Sequence, residues 1–147
     1  GQPRPPAQGW VVLFNDLVSY RGRNCQGTPS AVRRGRTWCV ARRAGRVAGC
    51  AAVSEKEDYF LLHHDCVHPG HRRRGVGKRL HRARLALCRA ADAAKPVRLY
   101  ILEGNRPAHA LRRAFPQFRY VRRTTLPDAS DPTATYLLYQ APGAGAA

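Results

Sequence analysis

The sequence is short of carboxylates, of paired cysteines and of long apolar stretches, and each shortage excludes a class of protein. Its five cysteines are scattered and odd in number, without a Cys-x-x-Cys pair, which argues against a disulfide framework and against a zinc ribbon. No apolar run approaches the roughly 18 residues that a membrane-spanning helix needs, and the first residues show no secretory signal. We therefore expect a cytoplasmic protein without a membrane segment.

The shortage of carboxylates makes the chain strongly basic. It has 26 Lys and Arg residues against 9 Asp and Glu residues, a formal net charge of +17. Two of its carboxylate-free stretches are His68 to Ala90, with eight Lys and Arg residues, and Arg106 to Arg123, with six. Such stretches attract polyanions, RNA among them, but a solvated basic face without a partner fits the charge equally well. Both interpretations stay open.

The size and composition of the chain are those of one folded domain, with 147 residues of which 44% are hydrophobic. We place this domain at 10–141, between tails at 1–9 and 142–147 that are rich in Pro, Gly and Ala and expected to be flexible. Apolar residues in Trp10–Tyr20 recur at mixed three- and four-residue steps, which predicts a short amphipathic helix. Arg21–Arg36, rich in Gly, Thr, Pro and Arg, is predicted to be a loop.

Strand and helix patterns alternate in the rest of the chain. Two β-capable runs flank Ala44-Gly45, which predicts an antiparallel hairpin. A long helix then separates two strands, an arrangement typical of a β-α-β crossover between parallel neighbours. The fold class is therefore predicted to be α+β, with helices on a mixed sheet. The predicted strands are Thr37–Arg42, Val47–Ser54, Tyr59–Val67, Val97–Leu102, Phe118–Arg123 and Thr135–Gln140, and the predicted helices are Gly75–Ala94 and Arg106–Phe115.

The long helix is predicted to have one apolar face and one basic face, because its apolar residues recur at three- and four-residue steps. The predicted core face consists of Val76, Leu80, Ala83, Leu87 and Ala91, and the predicted basic residues are Lys78, Arg79, Arg82 and Arg89.

Gly75 and Gly77 lie where the loop before this helix becomes the helix. Without side chains, the backbone can approach a ligand closely, and free N–H groups at a helix N-terminus bind anions. A pyrophosphate suits such a site. The nucleotide motifs fit less well: no GxxxxGK[ST] loop is present, and GxGxxG requires a glycine where Leu80 stands.

The segment from Val67 to Leu80 resembles the acetyl-CoA signature of the GNAT acetyltransferase superfamily. Arg72-x-x-Gly75-x-Gly77 follows Val67-x-Pro69, and the order of elements from Thr37 to Gln140 is also similar. The resemblance implies a GNAT-like mixed central sheet with helices on both faces, an abbreviated N-terminal part, and acetyl transfer from acetyl-CoA to a primary amine in a ternary complex. It implies contacts to the cofactor from Cys66, Val67, Arg72, Arg73, Arg74, Gly75, Val76, Gly77, Lys78 and Asn105.

A second family element is present but altered. Asn105-x-x-Ala108 opens a helix after a strand, similar to the family's segment near the thiol end of the cofactor. The helix position where many members place a tyrosine that protonates the departing thiolate holds Arg112, and Pro116-Gln117-Phe118 replaces the usual Gly-Phe. The resemblance therefore does not supply a general acid.

His63 is the first candidate for the catalytic base, and Asp65 is the second. An unperturbed histidine has a pKa of about 6.5, close to working pH, and the resemblance places some members' base on this strand, while others use an ordered water. Alternation along a strand puts His63 and Asp65 on one face and His64 and Cys66 on the other, unless a bulge intervenes. Because these side chains diverge, we predict no metal site.

Three functions remain open from the sequence. The first is an N-acetyltransferase acting on a neutral or acidic amine, since a charge of +17 repels polycationic acceptors. The second is a family member directed to tRNA or another nucleic acid, and the third is a catalytically weak domain that only binds CoA. The oligomeric state is expected to be a monomer or a homodimer.

Overall fold

The computed structural model describes residues 10–14 and 36–145, which form a single seven-stranded sheet and two α-helices. The strands are β1 (Trp10–Phe14), β2 (Arg36–Arg43), β3 (Arg46–Glu55), β4 (Phe60–Val67), β5 (Val97–Leu102), β6 (Arg119–Thr124) and β7 (Tyr136–Ala141), and the helices are α1 (Val76–Ala91) and α2 (Arg106–Arg113). Neither helix of these described ranges is long and apolar enough to cross a membrane.

The sheet has the order β1-β2-β3-β4-β5-β7-β6. Every neighbouring pair is antiparallel except β4 and β5, which are parallel and joined by α1. The predicted α+β class with a mixed sheet and a β-α-β crossover is confirmed. The predicted hairpin is confirmed as well: Ala44 and Gly45 both have positive φ, 50° and 76°, as the tightest hairpin turns require.

The predicted helix at Trp10–Tyr20 is wrong in its first five residues. Trp10–Phe14 forms β1 and pairs antiparallel with β2, Trp10 opposite Arg43 and Phe14 opposite Cys39. These residues are aromatic and branched, which suits a strand, and pairing with an existing sheet edge outweighs their helical spacing. Residues 15–20 and residues 21–35 of the predicted Arg21–Arg36 loop lie outside the described residues, and Arg36 is the first residue of β2.

The core lies chiefly between the sheet and the two helices. One cluster joins α1 to β2 and β3 through Val76, Leu80, Cys39 and Ala51. A larger cluster joins Cys88 of α1 and the residues after α2 to β3, β4, β5 and β7. Both helices therefore pack on one face of the sheet. The opposite face is also buried, around Trp38, Val40, Cys50 and Ala52.

The buried stripe of α1 differs from the predicted one. It consists of Val76, Leu80, His81, Arg84 and Cys88, whereas Ala91 is exposed. Arg84 on the core face of α1 interrupts the apolar spacing. Its burial depends on the Asp65 carboxylate of β4, as described below. The predicted tail at 142–147 begins with a contact to α1, since Arg89 donates a hydrogen bond of 2.9 Å to the Pro142 carbonyl.

Candidate active site

A cleft of about 1070 Å³ opens where β4 and β5 separate. The two strands pair only over Phe60–Leu62 and Val97–Leu99. Beyond these pairs β4 keeps β3 as its neighbour and β5 keeps β7, so each strand has an unpaired edge facing the cleft. The start of α1 and the inner side of α2 complete its walls. All predicted site residues except Arg74 line this cleft.

The first end of the cleft is the start of α1. Gly75 is the N-cap residue with φ of 79°, and no side chain among the described residues caps the helix. The first intrahelical bond that closes on the cap runs from the Arg79 N–H to the Gly75 carbonyl, 3.1 Å. The N–H groups of residues 76–78 precede it, have no intrahelical acceptor, and carry the positive end of the helix dipole. This end of the cleft can bind an anionic group.

Glycine is required at position 75 by conformation, and its missing side chain leaves open space. A Cβ atom there would meet nothing within 4 Å, while a Cβ on Gly77 would lie 3.5 Å from Leu111, an ordinary contact. A pyrophosphate fits this cradle because the backbone is exposed and Arg72, Arg73 and Lys78 are exposed beside it. The Val76 side chain, by contrast, is 1% exposed and belongs to the core, so this residue offers only its backbone.

A β-bulge forms the second end of the cleft. Ala52 pairs with His63 and Cys50 pairs with Cys66, so two residues, His64 and Asp65, lie opposite Ala51 alone. His64 has φ of 56°, in the left-handed region that a residue with a side chain rarely adopts. The extra residue reverses the alternation of side chains. The prediction that His63 and Asp65 share a face is therefore wrong.

His63 and His64 form a polar chain with a serine of β3. His63 Nε2 lies 2.7 Å from Ser54 Oγ, and His63 Nδ1 contacts His64 Nδ1. Ser54 is buried, His63 is partly buried and His64 is exposed in the cleft, with its ring centroid 5.7 Å from that of Trp38. The chain leads from the cleft into the sheet.

Burial and neighbouring positive charge lower the pKa of His63 to about 3, with His64, Arg36, Arg84 and Lys56 all acting in the same direction. The ordinary histidine pKa that we expected for His63 is therefore wrong. Desolvation, followed by the charge of Arg36, also lowers the pKa of His64. Both rings are neutral at neutral pH.

Asp65 points to the other face and is bound by Arg84 of α1. Arg84 donates from Nη1 to Oδ1 at 2.7 Å and from Nη2 to Oδ2 at 2.6 Å. Nη1 also donates to the Ala52 carbonyl at 3.1 Å. The Arg84 side chain is 0% exposed and that of Asp65 is 44% exposed. This bidentate pair ties the bulged segment of β4 to α1. Sequence patterns did not reveal it, because Arg84 was counted with the other cations of a carboxylate-free stretch.

The inner wall of the cleft comes from the strand–helix junction after β5. The predicted N-cap at Asn105 is confirmed, since its Oδ1 accepts a hydrogen bond of 3.2 Å from the Ala108 N–H. Arg112 also lines the cleft. Its guanidinium carbon lies 4.7 Å from the centroid of the Tyr139 ring, and its Nη1 donates to the Phe118 carbonyl at 3.3 Å. Within the described ranges, no group of three His, Cys, Asp or Glu side chains is arranged to hold a metal ion.

His81 is a further buried polar residue at this wall. It is 2% exposed, its ring centroid lies 4.1 Å from that of Phe115 and 5.1 Å from that of Phe118, and its Nε2 has no hydrogen-bond partner among the described residues. Desolvation, with a smaller effect of Arg84, lowers its pKa to about 4.

Several solved structures share this fold at low sequence identity. The ribosomal-protein-S18-alanine N-acetyltransferase from Escherichia coli is 16% identical with a TM-score of 0.71, over 94% of this chain and 96% of that one. Ard1 from Thermoplasma volcanium is 19% identical with a TM-score of 0.68, over 89% and 96%. A protein described as a streptothricin acetyltransferase from Bacillus anthracis, in complex with acetyl coenzyme A, is 14% identical with a TM-score of 0.63, over 76% and 64%.

No curated protein sequence matches the chain. The sequence profile of the acetyltransferase (GNAT) family matches residues 9–115, which is most of the chain and includes the splayed strands and the start of α1. The chain therefore belongs to the GNAT acetyltransferase family, whose acyl donor is acetyl-CoA.

Proposed function

We propose that the protein transfers the acetyl group of acetyl-CoA to a primary amine of a neutral or acidic acceptor, by direct attack in a ternary complex. The observation that carries this proposal is the cleft itself, with an uncapped helix start at one end and a polar bulge at the other. The amine attacks the acyl carbon of the acetyl-CoA thioester, the carbon–nitrogen bond forms as the carbon–sulfur bond breaks, and CoA leaves as its thiolate.

Different residues along the cleft bind different parts of acetyl-CoA. At the helix start, the N–H groups of residues 76–78 hold phosphate oxygens, and Arg72, Arg73 and Lys78 add positive charge. The exposed edge of β4 at Cys66 and Val67 offers backbone groups to the amide-bearing arm, as an added strand would use them. Arg72 already donates to the Val67 carbonyl at 3.4 Å, so the arm competes with that long bond.

The burial and the cations beside His63 bear on the choice of acceptor. Desolvation lowers the pKa of His63 most, and the charges of Arg36, Arg84 and Lys56 lower it further. The same field disfavours an ammonium ion, so it lowers the pKa of a bound amine and increases the fraction of its neutral, nucleophilic form. It also repels acceptors that carry several positive charges and attracts acceptors that carry a carboxylate.

The acceptor's proton has a path through the polar chain. His64 is neutral and exposed, and His63 and Ser54 follow it into the sheet. We propose that His64 takes the proton of the amine, directly or through one water, and that His63 and Ser54 orient its ring. His63, which the sequence favoured as the base, becomes a positioning residue, and Asp65 is bound to Arg84.

The test is turnover, measured as release of the CoA thiol, with acceptors matched for length and differing in charge. We expect acetylation of neutral and acidic peptide amines, little acetylation of polyamines, and loss of all turnover in Gly75→Asp. Acetyl-CoA binding without turnover on any amine would contradict the proposal and identify a CoA-binding domain, which remains the competing function.

A further inference from the structure

Strand β6 presents a basic and aromatic surface at the edge of the sheet. β6 is the terminal strand of the described sheet, with β7 as its one partner. Arg119, Tyr120, Val121, Arg122 and Arg123 are all exposed, and Tyr120 and Val121, 54% and 47% exposed, are two of the three large hydrophobic residues that are exposed among the described residues. We call these five residues the β6 edge.

The arginines of the β6 edge are little used within the fold. The side chains of Arg119 and Arg122 make no hydrogen bond or ion pair with any part of the chain that the structure describes. Arg123 pairs with Glu103 at 2.8 Å, but both side chains are more than half exposed, so this pair is weak. Arg113, at the end of α2, is exposed as well, and no carboxylate occurs between residues 106 and 123.

The basic residues of α1 differ in this respect. Arg89 donates to the carbonyls of Ala93 and Pro142, which fastens the chain after β7 to the helix. The guanidinium carbon of Arg82 lies 5.9 Å from the centroid of the Phe115 ring. Arg82 and Arg89 of α1 thus contact other parts of the fold, whereas the side chains of Arg119 and Arg122 are available to a ligand.

A register shift at Val121 determines which side chains of the β6 edge lie on each face of the sheet. Arg119 is opposite Gln140 and Arg122 is opposite Leu138, so the two arginines lie on the same face of the sheet. Tyr120 is opposite Tyr139 on the other face, and the two rings meet edge to face with centroids 5.9 Å apart. A ring held in this way and still half exposed can receive another flat ring.

From this arrangement we propose that the β6 edge binds single-stranded nucleic acid that crosses the edge of the sheet, with phosphates on Arg119 and Arg122 at one face and a base stacked on Tyr120 at the other. Cationic side chains beside an exposed aromatic ring are the combination that binds such strands without sequence preference. A second copy of the chain is the competing occupant of a free strand edge. Pairing two β6 strands would bring the arginines of both copies together, and like charges at paired positions are destabilising.

The proposal is independent of acetyl transfer, and binding tests it directly. We suggest fluorescence anisotropy with labelled 20-nucleotide oligo(U), oligo(dT) and a DNA duplex across a salt series. The variants are Arg119→Glu with Arg122→Glu, and the matched control Arg79→Glu with Arg82→Glu on α1, which changes the net charge equally. The first double variant should lose at least about tenfold in affinity for the single strands, and its log–log salt slope should fall by about 1.4, since each phosphate contributes about 0.7.

Tyr120→Ala should weaken single-strand binding about tenfold, and Tyr120→Phe should retain it, because stacking needs only the ring. Preference for oligo(U) over oligo(dT), or the reverse, identifies the nucleic acid. Equal loss in the two double variants, or no loss in either, overturns the proposal. Sedimentation that shows a dimer in the wild type and a monomer in the β6 double variant overturns it too, and assigns the edge to a second copy. Circular dichroism checks that all variants fold.

Discussion

At one end of the cleft, the anion-binding groups come from seven consecutive residues, 72–78, whereas at the other end the polar groups come from two strands and a helix. The helix start needs only a left-handed Gly75 and free N–H groups, which are local properties of the chain. The bulge needs Ser54 of β3 and Arg84 of α1, which are distant in sequence from His64. Residues adjacent in the sequence can thus form the site for a common ligand, whereas the residues proposed to carry out the chemistry are brought together by long-range packing.

The largest effect should follow from disturbing the local end. In Gly75→Asp a carboxylate replaces open space beside the free N–H groups and repels phosphate, so acetyl-CoA affinity should fall at least about 100-fold, or 2.7 kcal/mol. Gly77→Asp should act similarly, because its Cβ meets only Leu111 at 3.5 Å. Titration calorimetry measures both.

Gly45→Asp is the matched control for this prediction. Gly45 also has a positive φ, 76°, with open space around its Cβ, but it lies in the β2–β3 turn outside the cleft. It should lose stability to the same strain and keep its acetyl-CoA affinity. If Gly75→Asp and Gly77→Asp both bound acetyl-CoA with wild-type affinity, the start of α1 would not be the phosphate site.

The second effect tests which histidine of the bulge takes the proton. His64→Asn keeps a residue that tolerates the left-handed backbone and removes the imidazole, so turnover at neutral pH should fall about 100-fold, as is usual for loss of a general base. Ser54→Ala should reduce it about tenfold or less, because it removes only an orienting hydrogen bond. His109→Asn, on α2 outside the cleft, should not change it.

The pH dependence of the rate separates the two rings. Since the pKa of His63 is about 3, His63 contributes no acidic limb near pH 6.5. The limb in the wild type should lie below pH 6.5, following the lowered pKa of His64, and should disappear in His64→Asn. An unchanged pH profile in His64→Asn together with a changed one in His63→Ala would return the role to His63.

The third effect concerns the ion pair that links the bulge to α1. Asp65→Ala leaves the buried Arg84 without its carboxylate, which should lower the free energy of unfolding by about 2 kcal/mol, less than for a fully buried pair because Asp65 is partly exposed. Asp128→Ala, an exposed position, should cost less than about 0.5 kcal/mol. Urea denaturation measures both, and equal stability of the two variants would show that the pair does not hold the bulge.

The smallest effect concerns the acid sensitivity that His81 contributes. Its folded pKa of about 4 lies below the unfolded value of 6.5, so unfolding takes up a proton between these values and stability falls as pH falls. Between pH 7 and pH 5 this contributes about 2 kcal/mol of lost stability. His81→Leu should remove that part of the pH dependence, while His109→Leu should leave it. Parallel pH curves for wild type and His81→Leu would show that the ring is protonated in the fold.

Much of the fold followed from patterns within short segments. The Ala44-Gly45 turn, the strands on either side of α1 and the cap at Asn105 depend on a few adjacent residues, and all were predicted. The error at Trp10–Phe14 arose because helical spacing and strand propensity were both present there, and pairing with β2 decided between them. The misplaced stripe of α1 has the same origin, since the partner that makes Arg84 a core residue lies on β4.

The sequence by itself determined the family, the mixed sheet and the cradle at Gly75, because the backbone freedom of glycine and an uncapped helix start depend on adjacent residues. Only the tertiary structure decided which side chains share the other end of the cleft. One extra residue at His64 and Asp65 reverses the alternation of β4, places His63 against Ser54, and turns Asp65 towards Arg84. Burial and nearby cations then lower the histidine pKa values. The contacts of His63 with Ser54 and of Asp65 with Arg84 join residues 9 and 19 positions apart, which no local pattern encodes.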